Sequence, residues 1–191
     1  MSGNLEASDL SALVIEAEKI AAQARATFDQ LSPAQINWKR SPGEWSIGQC
    51  FDHLVRSNET YFPLLESIAA GRHKKTLWQR VPILPGFFGR MLIRSVSPES
   101  ARKLKAPKVF RPSASDIDAD VIDRFIRHQG ELMRLMSETE KLNPEKIIIP
   151  SSVSALVIYN LLDGYRILLT HERRHLLQAE RVMAAEEFPR A

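Results

Sequence analysis

With 191 residues, 44% of them hydrophobic, the chain is long enough to bury one sizeable core, and 11 prolines and 8 glycines are too few for a disordered polypeptide. The single cysteine, Cys50, excludes an internal disulfide, and there is neither a basic-then-apolar leader nor an apolar run of about 18 residues; a soluble, reducing, cytoplasmic setting with no membrane partner is expected. The formal net charge of +3 is unevenly spread, because Arg72 to Arg111 carries eleven Lys and Arg against Glu99 alone, a local +10 that leaves −7 for the remainder.

Residues 5 to 31 repeat Leu10, Leu13, Ala17, Ile20, Ala24, Phe28 and Leu31 at three-four spacing, which predicts a long amphipathic helix. Pro33, Pro42 and Gly43 break it, and the connection from Ser32 to Trp45 carries Trp38 and Trp45 as aromatic caps for the core. Ser46-Ile47-Gly48-Gln49 is a capping-box pattern, with Trp45 and Cys50 as its hydrophobic staple, so a second helix is expected over 46–70. Its apolar face includes Cys50, Phe51, Leu54, Tyr61 and Leu65, while His53 lies on the flank along a polar seam with Gln49 and Ser57; a kink is expected at Pro63.

Prolines 82, 85, 98, 107 and 112 chop the basic stretch 71–114 into an irregular crossover, inside which Phe87 to Val96 fits a short amphipathic helix. Two readings stand for it: a solvated connection packed down by Trp78, Phe87 and Phe88, or a lining for an anionic ligand. No recognised nucleic-acid motif accompanies the charge, so nucleic acid is not an expected partner. Ser115 with Asp116, Asp118 and Asp120 predicts the start of a third helix running to about Lys141, ended by Asn143-Pro144. Ile147 to Ile158 is apolar and β-branched, either an extended piece or early turns of the last helix, and Asn160 with Asp163 three residues on marks that helix over 160–185. Four long helices without a convincing strand pair give a single all-α domain, a four-helix bundle with a long crossover between helices two and three.

The last helix carries His171-Glu172-Arg173-Arg174-His175. Four residues advance about 400° and about 6 Å along the axis, so the two rings can grip one ion. Both, with Glu172, fall on or beside the apolar stripe of Leu161, Tyr165, Leu168, Ala179 and Val182, whereas Arg166, Arg173, Arg174 and Arg181 point away. The same letters spell the zinc-protease HExxH helix, but that arrangement takes its third ligand downstream, and no histidine follows His175. An upstream ligand is more economical, and His53 is the best candidate. Glu172 is a candidate general base or outer carboxylate for the ligands, or else an ion-pair partner of another helix. His128 is a core hydrogen-bonding group or a further ligand, His73 beside Lys74 and Lys75 belongs to the surface, and Cys50 is a ligand, a nucleophile or a buried filler.

The chain resembles the DinB/YfiT-like four-helix-bundle metalloproteins in Trp38, in SPGEWSIGQCFDHL from Ser41 to Leu54, in HERRHLLQAERV from His171 to Val182, and in their order. That resemblance implies one metal-binding histidine on the second helix and a pair four apart on the last, here His53, His171 and His175. It further implies a divalent ion, commonly zinc or nickel, with solvent in the remaining positions, and often a homodimer. Three neutral imidazoles leave room for an activated water or thiolate, so hydrolysis and thiol-cofactor transfer on a small anionic or thiol-containing molecule are both open. The alternative from another class is a non-catalytic metal-binding or stress-associated binding protein.

Overall fold

Apolar spacing and two capping boxes lay out the frame in a computed structural model that describes residues 10–74, 76, 78–80, 84–100, 110–113 and 116–190. Helix α1 is Leu10–Phe28, with Leu10, Leu13, Ala17, Ile20, Ala24 and Phe28 buried, as the three-four pattern requires. The expected residues before Leu10 lie outside the described chain. Ser32 and Gln35 form a capping box that starts a short helix α2, Pro33–Asn37, inside what was expected to be a plain connection. Ser46 and Gln49 start α3, Ile47–Glu59, as expected. The ring of Trp45, the expected staple partner of Cys50, lies on two imidazoles.

The expected single helix over 46–70 is two helices, since α3 stops at Glu59 and α4 spans Phe62–Ala69. Pro63 has no N–H to offer the turn before it, and sits comfortably only in the first turn of a new helix. Helix α5, Leu84–Val96, lies in the crossover and begins three residues before the expected Phe87. Helix α6, Val121–Thr139, begins six residues after the expected Ser115, itself outside the described residues. The acidic stretch before it is held as loop: the Ile117 N–H donates to Asn37 Oδ1 at 2.8 Å and Asn37 Nδ2 donates to the Ile117 carbonyl at 2.9 Å. One side chain thus occupies both backbone groups that a helix would need.

A strand pair is present, which corrects the expectation of none: β1, Ile148–Ser151, pairs antiparallel with β2, Ser154–Asn160, in the register Ile149 with Tyr159. Ile149, Ile158 and Tyr159 are buried, so the β-branched run serves as a small hairpin packed on the core. Helix α7, Leu161–Met183, follows directly, with the Asp163 N–H donating to Asn160 Oδ1 at 2.7 Å as the cap expected there.

The long helices close around one core: α1 packs on α6 and α7, and α3 packs on the same two. Across the centre, Phe28, Phe51 and Phe125 meet edge to face at 5.2 Å between centroids. Helix α5 packs on α7 and β2, so this part of the crossover is a built layer and not a loose strap. Gly89 permits that approach, for a Cβ there would collide with the carboxylate of Asp163 in the first turn of α7. Among the described residues no helix is long and apolar enough to cross a membrane.

Candidate metal centre

Helix α3 presents His53 two turns after its capping box, and α7 presents His171 and His175 one turn apart. Packing of α3 on α7 turns the three rings to one another. Their centroids form a nearly equilateral triangle: 4.9 Å for His53 and His171, 4.6 Å for His53 and His175, and 4.6 Å for His171 and His175, with ring planes crossed by 80°, 69° and 85°. One nitrogen from each lies within 4.8 Å of the others. His53 and His175 are buried and His171 is half-buried.

The protonation pattern suits ligation. His53 Nδ1 donates to the Phe110 carbonyl at 2.5 Å, which fixes the tautomer and leaves Nε2 as a lone pair. That lone pair faces His171 Nε2 at 3.0 Å, a separation one ion bonded to both at ~2.0–2.1 Å can bridge. Among the described residues the buried Nδ1 of His175 reaches no partner in hydrogen-bonding geometry, with the Gln178 side chain beside the ring. Burial lowers the pKa of all three: His53 despite the Phe110 carbonyl and Asp52, His171 to about 3 with help from His53 and Arg174, and His175 well below the ordinary imidazole range with help from the other two rings and Arg174. At neutral pH the triangle is therefore three uncharged nitrogen donors, the set that borderline divalent ions take. The residues fit such an ion.

Neighbouring groups brace the triangle. The Trp45 ring stacks on His175 at 5.6 Å and 22°, and tilts over His53 at 4.9 Å. Asp52, buried beside His53, accepts the Ser113 N–H at 2.7 Å and faces Arg124 at 3.9 Å, so the Asp52-His53 pair pins the chain at Phe110 and again at Ser113. Arg174, which the helical pattern sends away from the core, donates to the carbonyls of Ser95 at 3.3 Å and Ser97 at 3.0 Å and ties the end of α5 to α7. Phe110 acts through its backbone carbonyl, which leaves no mark in a sequence; Asp52 was legible only as the neighbour of His53.

The other candidates fall elsewhere. Glu172 turns inward, fully buried, and its Oε1 accepts from Asn58 Nδ2 at 2.8 Å; its carboxylate is not one of the three clustered groups. Burial raises its pKa from 4.5 to about 7. Gln129 approaches the same carboxylate and offsets part of that rise, yet neither its amide atoms nor Glu172 Oε2 reach hydrogen-bonding geometry. His128 lies 3.7 Å from Glu59 and packs on Phe62, outside the triangle. His73 bonds the Ile148 carbonyl at 3.1 Å, at the start of the hairpin. Cys50 is 1% exposed with its thiol pushed up to about 12, and it serves as a buried apolar filler.

Among known sequences, a model of the DinB superfamily matches residues 16–179. No curated protein and no solved structure matches the chain.

Proposed function

The chain belongs to the DinB superfamily, and from that premise we propose that it is a divalent-metal-dependent enzyme acting on a small molecule, with His53, His171 and His175 holding zinc or nickel. A divalent ion in this position supplies Lewis acidity at neutral pH, suited to activating water for hydrolysis or a thiolate for thiol-cofactor transfer. The chain supplies the rest. The Phe110 carbonyl orients His53, and the Trp45 ring covers one side of His53 and His175. Substrate therefore approaches beside the half-buried His171. Two cations stand beside the site, Arg174 next to His175 and the exposed Arg111 next to Phe110, and they favour an anionic substrate. A cytoplasmic homodimer with its lone thiol reduced is the setting we infer.

The observation that carries this reading is the triangle of three neutral imidazoles with a fixed tautomer at His53. Its test is elemental analysis of protein purified without a histidine tag, for the wild type and for His53→Ala, His171→Ala and His175→Ala. About one ion per chain, lost in each variant, supports the site and leads to hydrolase and thiol-transfer screens. A wild type that neither carries nor takes up metal refutes it.

A further inference from the structure

Among the buried polar side chains outside the imidazole triangle, three form a set of their own. Asn58 on α3, Gln129 on α6 and Glu172 on α7 are each 0% exposed. Among the described residues one full hydrogen bond joins them, from Asn58 Nδ2 to Glu172 Oε1 at 2.8 Å; Gln129 lies against the same carboxylate, and Asn58 Oδ1, Glu172 Oε2 and both amide atoms of Gln129 reach no partner in hydrogen-bonding geometry. Removing such groups from water costs free energy, and apolar side chains of similar volume would suit a helical core better. Stability alone gives no reason for the set.

Its location gives one. Glu172 directly follows His171 and precedes His175 by three residues, while Asn58 follows His53 by five on the same helix. The Asn58–Glu172 bond therefore spans the two helices whose ligands must converge, and Gln129 closes the set from the third. Apolar packing accepts small rotations of a helix about its axis. A hydrogen bond in a low-dielectric interior, with its distance and angle requirements, accepts far less.

We propose that Asn58, Glu172 and Gln129 are positioning residues for the histidine site, holding α7 in the rotation about its axis that brings His171 and His175 onto His53. Glu172 then acts through the orientation of its helix and not by touching a reacting group. This inference rests on the metal reading above.

The test is a cobalt(II) titration followed by the visible ligand-field spectrum, together with urea unfolding, on the full chain. The variant Asn58→Leu, Gln129→Met, Glu172→Met is expected to be at least as stable as wild type yet to bind cobalt 10- to 100-fold more weakly, with an altered spectrum. Glu172→Gln keeps an acceptor for Asn58 and is expected to bind within about threefold of wild type with an unchanged spectrum. A triple variant that binds as tightly as wild type overturns the proposal. So does one that is less stable or fails to fold, since the set would then be serving stability, and so does a Glu172→Gln loss equal to the triple variant's, which would assign the effect to carboxylate charge. A wild type that takes up no cobalt instead overturns the metal reading, and this proposal with it.

Discussion

Glu172 allows a quantitative pH experiment on the metal-free protein. Its carboxyl titrates at about 7 in the folded chain against 4.5 ordinarily, chiefly through burial, so the folded state holds the proton more tightly than the unfolded state does. Its contribution to stability is present in full below about pH 4.5 and is lost as pH rises to about 7, because the unfolded chain ionises freely while the folded chain resists. That separation corresponds to about 3–4 kcal/mol at about 1.4 kcal/mol per decade, and complete burial means that solvent does not dilute it. In Glu172→Gln the titration is gone, while an amide oxygen can still accept from Asn58. Urea unfolding of chelator-treated wild type and variant at pH 5 and pH 8 should show the variant gaining on wild type by about 2–3 kcal/mol between the two. The difference between the proteins also cancels the histidine contributions, which run the other way. An offset that stays constant within about 0.5 kcal/mol would refute the assignment of a burial-raised carboxyl.

The imidazoles give the opposite slope. His171 titrates near 3 in the folded chain, below its ordinary 6.5, so its contribution is present above 6.5 and is lost as pH falls towards 3. Metal-free wild type should accordingly unfold in that window, and His171→Leu should reduce the slope by about 1.4 kcal/mol per pH unit, as checked by acid titration followed by circular dichroism. The Trp45 ring lies on His175 and His53, so nickel or copper should quench intrinsic fluorescence stoichiometrically, and Trp45→Phe should abolish most of that response. Gly89→Ala sets a methyl group against the Asp163 carboxylate and should cost about 1–3 kcal/mol in urea unfolding, with α5 loosened from α7. Ser46→Ala removes the acceptor of the Gln49 N–H at 3.1 Å and should cost about 1 kcal/mol by the same measurement.

The sequence by itself determined the helical class, the caps at Ser46 and Asn160 and the inward turn of Glu172, because these depend on residues within a turn or two of each other, where helical period and capping chemistry act. It also singled out His53, His171 and His175, through spacing on one helix and the order of the motifs. Tertiary structure decided what local rules cannot express. Asn37 holds Ile117 from 80 residues away and delays α6; Pro63 becomes the opening of a new helix; and the run after Ile147 pairs with itself as a hairpin. Around the histidines, the Phe110 carbonyl, the Trp45 ring and the Asn58–Glu172 bond come from separate elements, and their roles exist only once α3 lies against α7. Hydrogen bonds and ring contacts reach only a few ångströms, so partners distant in sequence can be assigned only after packing has brought them together.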